Sequence, residues 1–162
     1  MPRFLIVAGP DRSEREEVLE KLVSAFSAAG YKTGVAIHRT LEEEEKGREG
    51  EGYKRFSRAG AVQALITRGK ETALRGKQGG LTPLKRIGAR YFNAVDVLLA
   101  AGYFDPVPCV EACLSDDISL LRRLSDPGLA GVVCRRSLPA LAVRVYPIDD
   151  LAELVSVVMK KI

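Results

Sequence analysis

The chain has 162 residues, 46% of them apolar and 28% charged. That composition excludes a disordered tail, and no run approaches the roughly 18 apolar residues a spanning helix needs. Twenty-five Lys and Arg stand against 21 Asp and Glu, so a net charge of +4 is too small to mark the chain as a nucleic-acid or membrane-surface binder.

A chain of this length buries roughly 70% of its unfolded surface, a core that needs neither disulfide nor metal. The three cysteines, Cys109, Cys113 and Cys134, are an odd and sparse set. They argue against a secreted disulfide scaffold and for the cytoplasm. The opening MPRFLIVAGPDRSE is too short for a signal peptide with its usual flanks and reads as a strand.

Taken in order, RFLIVAG (3–9) is an apolar run that ends in Gly9-Pro10-Asp11, a buried strand followed by a turn. The next stretch has Ser13 as helix N-cap, Glu16 three residues later, and acidic residues in the first turn. Val18, Leu19, Leu22, Val23 and Phe26 recur at helical spacing, and Gly30 stops the helix. KTGVAIH (32–38) is a second strand ending at His38. Strand, helix, strand makes one right-handed βαβ unit and a parallel sheet.

Residues 39–52 read as a charged loop, with the acidic run Glu42, Glu43, Glu44 and Glu45 allowing a helical turn. A short helix and a strand over 62–67 follow, then loop material to residue 80. A helix is predicted from Thr82-Pro83 to about Phe92, and an apolar strand over 95–103. A short strand lies near Val110, and a helix over 117–124 has Asp116 or Asp117 as its cap. Strands over 130–134 and 142–146 and a terminal helix over 149–162, capped by Asp149 or Asp150, complete the chain. No linker or repeat divides it, so residues 1–162 read as one α/β domain, a three-layer, doubly wound, mostly parallel sheet.

In such a sheet the turn after the first strand is where a ligand is expected. A phosphate loop has the form GxxxxGK[ST]: backbone N–H groups wrap the phosphates, the lysine reaches the outer ones, and the hydroxyl holds Mg²⁺. Here GPDRSERE keeps Gly9 but has Glu14 for the second glycine, Arg15 for the lysine and Glu16 for the hydroxyl residue. Arg15 is still a cation, whereas two glutamates in a first helical turn complement the helix dipole with no ligand at all. The strand DVLLAAGY has Asp96 at its start and Ala100 and Ala101 at its end, where a carboxylate would support Mg²⁺. Both absences argue against Mg²⁺-dependent hydrolysis of a nucleoside triphosphate.

In their order these segments resemble the molybdopterin-guanine dinucleotide biosynthesis protein B (MobB-type) family, small P-loop NTPase-like proteins of molybdenum-cofactor assembly. GPDRSEREEVLEKL (9–22) aligns with that family's phosphate loop and first helix. GYKTGVAIH (30–38) resembles its second-strand segment, with His38 at the characteristic histidine and Ile37 where a lysine is common. In GYKRFSRAGA (52–61), Arg55, Ala59, Gly60 and Ala61 match, while Gly52 and Tyr53 depart from an acidic and a hydroxyl residue. In DVLLAAGYFDPVPCVEAC (96–113), Gly102, Pro108 and Glu111 fit, and Ala101 replaces an acid.

The resemblance implies a homodimer that binds guanine nucleotide and assists a molybdopterin-cofactor assembly enzyme. The phosphate-binding positions are the ones that have changed. The reading is therefore a divergent, non-catalytic accessory protein with weak or lost nucleotide binding. Its alternatives are a guanine-nucleotide binder with slow GTP hydrolysis and an interaction module with no small ligand. GTP or another phosphorylated compound is the ligand class left open, and Mg²⁺ is disfavoured.

Gly9, Arg12, Ser13, Arg15, His38 and Arg55 are the candidate phosphate contacts, with no catalytic residue and no metal ligand assigned. His38, the sole histidine, ends the second strand on the ligand-facing rim, and Arg55 with Arg58 precedes the Ala-Gly-Ala. Seven basic residues between Arg68 and Arg90 (Arg68, Lys70, Arg75, Lys77, Lys85, Arg86, Arg90) face one acid, Glu71, and make either a binding rim or a solvated face. Cys109 and Cys113 share a strand face as core thiols do, and no second pair completes a metal site.

Overall fold

Alternation within the first strand sets the layers. Leu5 and Val7 join one apolar cluster and Phe4 and Ile6 another, so both faces of RFLIVA must be covered. A computed structural model describes residues 1–40, 51–69, 83–115, 117–136 and 141–161. The strands are β1 (Arg3–Ala8), β2 (Thr33–Thr40), β3 (Gln63–Gly69), β4 (Val97–Ala101), β5 (Cys109–Cys113), β6 (Leu129–Cys134) and β7 (Val145–Pro147). Among the described residues the helices are α1 (Arg12–Ala28), α2 (Glu51–Ala59), α3 (Leu84–Tyr91) and α4 (Ala152–Lys161).

All pairings in the seven-stranded sheet are parallel, in the order β3-β2-β4-β1-β5-β6-β7. The chain steps out from β1 to β2 and β3, returns to β4 beside β1, and then runs the other way through β5, β6 and β7. In doubly wound sheets such a reversal marks the place, at the carboxyl ends of the central strands, where a ligand is expected. The expected three-layer α/β architecture is the one observed.

Helix α1 packs on the sheet between α2 and α4. Its Val18, Leu19, Leu22, Val23 and Phe26 meet Leu5, Val7, Val35, Ile37, Phe56 of α2 and Leu154 and Val158 of α4. On the other face Leu84 and Ile87 of α3, with Phe92, cover Phe4, Ile6, Leu98 and Ala100. Beyond them, Cys113 and Val132 are covered by loop residues Leu121, Leu141 and Val143.

The structure corrects several sequence expectations. The helix expected over 117–124 is one 3₁₀ turn, Ile118–Leu120, capped by Asp117. It cannot propagate, because the Arg122 and Arg123 N–H groups donate at 2.8 Å to the carboxylate of buried Glu111 instead of to helical carbonyls. Strand β2 runs past His38 to Thr40, held by β3 through Arg39↔Arg68 and Thr40↔Gly69. Strand β7 begins at Val145, where pairing with Val132 starts, and α4 begins at Ala152. Helix α3 begins at Leu84, and its first N–H donates to the carboxylate of Asp105, a cap from 21 residues away. The acidic run at 42–45, Thr82 and Asp116 lie outside the described residues.

Candidate functional site

Strand β1 ends at Ala8 and α1 starts at Arg12, so Gly9, Pro10 and Asp11 make the whole turn. A phosphate loop needs four residues of open backbone after its first glycine. Here Arg12 and Ser13, two of those four, are already helical. The cap is Asp11, not Ser13. Asp11 is extended (φ −98°, ψ 122°), its carboxylate accepts the Glu14 N–H at 3.0 Å, and its carbonyl accepts the Arg15 N–H at 3.1 Å. A carboxylate of the chain thus occupies the anion-favouring end of α1. Ser13 stays exposed beside it, and Arg15 folds back to donate from Nη1 to the Gly9 carbonyl at 2.7 Å.

One turn further, at the position of the Mg²⁺-binding hydroxyl, Glu16 is 5% exposed. Its Oε2 accepts from Arg12 Nε at 3.0 Å, and its Oε1 accepts from Arg39 Nη2 at 2.7 Å and Nε at 3.2 Å. Strand alternation explains the partner. Val35 and Ile37 of β2 face α1, so Arg39 does too, while Ala36 and His38 face the α3 side. Gly52 of α2 leaves room for the guanidinium: a Cβ there would lie 3.1 Å from Arg39 Nη2 and 2.8 Å from Ile66 Cδ1. Gly52 thus leaves the space that the Glu16–Arg39 pair occupies.

His38 therefore belongs to a different group from the turn. Its Nδ1 lies 2.8 Å from Thr67 Oγ1, directly across the β2–β3 register, and its ring meets Tyr103 edge-on at 6.3 Å. Burial lifts the Tyr103 hydroxyl pKa above its ordinary value, partly offset by the hydrogen bond to Thr67. Gly102 closes the end of β4 with φ +81°, and a Cβ there would sit 2.2 Å from the His38 carbonyl oxygen. Asp96 is a strand-start residue: its Oδ2 accepts the Lys32 N–H at 2.7 Å, at the opposite edge of the sheet from the turn.

Arg55 pairs with Glu20, strapping α2 to α1, and its guanidinium lies 5.9 Å from the centroid of the Phe56 ring. The sequence candidates thus separate. Gly9, Arg12, Ser13 and Arg15 lie together at the β1–α1 turn, Arg55 lies on the α1–α2 seam, and His38 lies across the sheet. Glu17, also on α1, holds Arg135 from the end of β6 with both carboxylate oxygens, at 3.0 and 2.9 Å. Glu14 is lifted above the usual carboxylate range, first by burial and then by the neighbouring charge of Asp11.

The basic 68–90 stretch divides as well. Arg68 is the penultimate residue of β3, near its carboxyl end, Lys85, Arg86 and Arg90 lie on α3, and Lys70, Arg75 and Lys77 fall outside the described residues. Cys109, Cys113 and Cys134 are buried and in no disulfide, and burial raises the pKa of Cys109. Among the described residues no three His, Cys, Asp or Glu side chains gather as a metal site, and no helix is long and apolar enough to cross a membrane.

Sequence reasoning singled out His38, noted Gly52 only as a departure from the family segment, and passed over Arg39 and Thr67. The period of two in VAIHR was the available signal for Arg39, since a residue two beyond Ile37 must share its face. Nothing local signals Gly52 or Thr67, which meet their partners through the fold.

No family model matches the chain. No curated protein matches it either. Among solved structures, the chain is similar to a MobB protein homolog from Bacillus stearothermophilus, with 21% sequence identity and a TM-score of 0.53 over 99% of this chain and 97% of that one. It is likewise similar to Bacillus subtilis MobB, with 20% identity and a TM-score of 0.54 over 100% and 98% of the two chains. The likeness runs the full length of both chains, and the fold of this protein is that of the MobB structures.

Proposed function

We propose that the protein is a non-catalytic accessory protein related to molybdenum-cofactor biosynthesis, with weak or lost nucleotide binding. The observation that carries the reading is Glu16, buried between Arg12 and Arg39 where a phosphate-loop protein keeps the hydroxyl for its metal. A carboxylate fixed by two guanidiniums already satisfies the cations that a phosphate would seek, and adds negative charge against an incoming triphosphate. The Asp11 cap works the same way at the end of α1. The fold shared with two MobB structures supports the link to cofactor assembly. On this reading the protein acts in the cytoplasm as a homodimer, through a surface offered to a molybdopterin-cofactor assembly enzyme.

Calorimetry with GTP and GDP, with and without Mg²⁺, tests the proposal. The protein as it stands is expected to give no saturable heat in the micromolar range. Restoring the loop chemistry with Glu14→Gly, Arg15→Lys and Glu16→Thr together is expected to strengthen GTP binding, provided the variant keeps a cooperative unfolding transition. Micromolar, Mg²⁺-dependent GTP binding by the unaltered chain would overturn the reading in favour of a working nucleotide site. Sedimentation at micromolar concentration checks the dimer separately.

A further inference from the structure

Strands β5 and β6 end on facing cysteines. In their parallel register Cys113 is the direct partner of Cys134, so the two side chains leave the sheet on the same face. Neighbouring strands lie roughly 4.8 Å apart, which places the two Cα atoms inside the roughly 4.4–6.8 Å window that a disulfide spans.

The third cysteine is out of reach. Cys109 lies four residues before Cys113 on β5, roughly 13 Å away at about 3.3 Å per residue. Its register partner is Leu129, which puts Cys134 further still. Of the three pairings that three cysteines allow, the sheet permits Cys113 with Cys134 alone.

The pair sits under a thin cover. Helix α3 covers β1 and β4, whereas Cys113 and Val132 are covered by the loop residues Leu121, Leu141 and Val143. Loops open locally at lower cost than packed helices, which gives a small oxidant a way to the sulfurs without global unfolding. Each sulfur now lies against carbonyl oxygens, Cys113 Sγ at 3.6 Å from that of Asp117 and Cys134 Sγ beside those of Arg136 and Tyr146. A thiol is a weak donor, so turning the two sulfurs toward each other gives up little.

We propose that Cys113 and Cys134 are a reversible redox pair, closing to a disulfide across the ends of β5 and β6 when a low-molecular-weight disulfide oxidises them. One thiol loses its proton, and its thiolate attacks the small disulfide, forming a mixed disulfide and expelling one small thiolate. The second protein thiolate attacks the protein sulfur of that bond and expels the other. The protein loses two protons and two electrons, and the small disulfide takes them up to become two thiols. A Cα spacing below the roughly 5.5–6 Å that the bond prefers leaves it strained, so a dithiol reductant reopens it. Arg135, next along from Cys134, points to the other face and holds Glu17 of α1. The bond therefore fastens the strand end that anchors the first turns of α1.

The test treats the folded protein with excess oxidised glutathione, quenches with acid, unfolds and alkylates. One alkylated cysteine per chain is expected, Cys109, in a chain two hydrogens lighter than the reduced one. Cleavage after Glu111 and Arg123 puts the three cysteines on three peptides, and those of Cys113 and Cys134 are expected to be linked. Dithiothreitol is expected to restore three alkylated cysteines. Cys113→Ala and Cys134→Ala are each expected to abolish the internal bond and Cys109→Ala to leave it, with urea midpoints confirming that each variant is folded. The peptide map of the unaltered chain decides the question even where a variant fails to fold. Three alkylated cysteines after treatment, a link through Cys109, a bond between two chains, or a Cys113–Cys134 bond that forms only in urea would overturn the proposal.

Discussion

Replacing Glu16 with alanine strips Arg39 of its carboxylate. The Arg39 side chain is 11% exposed and gives Glu16 two hydrogen bonds, while Arg12, at 22%, gives one. Breaking a buried pair by removing one partner costs about 3–5 kcal/mol, because the other charge stays desolvated. The residual exposure of Arg39 lets water reach the guanidinium and places the loss near the lower end, about 3 kcal/mol, with Arg12 adding under about 1 kcal/mol. In a domain of this length each kcal/mol moves Tm by about 2–4 °C, so Glu16→Ala should melt about 10 °C lower. The double variant Glu16→Leu with Arg39→Met trades the pair for apolar side chains of similar volume and should lie within about 1 kcal/mol of the parent. Urea unfolding followed by circular dichroism measures these variants and the two single ones, Glu16→Leu and Arg39→Met, with Gly52→Ala, which crowds Arg39, expected to cost more in the parent than in the Arg39→Met background. A loss below about 1 kcal/mol in Glu16→Ala, or a double variant as unstable as the two single losses added together, would refute the argument.

Other consequences are open to the same measurement. Asp11→Ala removes the α1 cap and should cost about 1 kcal/mol, whereas Ser13→Ala, at an exposed position inside the helix, should cost almost nothing. Glu111→Ala leaves the Arg122 and Arg123 N–H groups without their acceptor and should cost about 3 kcal/mol, with faster hydrogen exchange at those two amides as its local signature. Glu14 gives a pH dependence. Its carboxyl is raised in the fold, so the ionised form weakens the protein above the folded pKa, and the weakness disappears as pH falls below the unfolded value of about 4.3. Glu14→Gln should therefore be the more stable protein at neutral pH, with the difference closing toward pH 4. A gap of constant size between those pH values would show that ionisation of Glu14 is not its source.

Local patterning made the architecture legible because a parallel strand buried on both faces is an apolar run, and the helix between two such runs carries a 3.6-residue stripe. RFLIVA, VLLAA and the Val18–Phe26 stripe needed nothing from the rest of the chain to be recognised. Where distant groups compete for a backbone N–H, local reading failed: Ile118–Leu120 stops after one turn because Glu111 on β5 takes the next two donors, and α3 starts at Leu84 because Asp105 offers it a carboxylate.

The candidate site divides along the same line. The residues of GPDRSERE, by their identity, establish that the lysine and hydroxyl of a phosphate loop are missing, since no fold restores a side chain. What replaces them is a tertiary matter. Asp11 rather than Ser13 caps α1 because β1 leaves three residues for the turn, and Arg39 rather than His38 reaches α1 because alternate residues of β2 point to opposite faces. Glu16 and Arg39 are 23 residues apart and meet only where β2 lies under α1, with Gly52 leaving the gap. The sequence alone determined that the loop chemistry is absent, and the packing of β2 and α2 on α1 decided that a buried ion pair stands in its place.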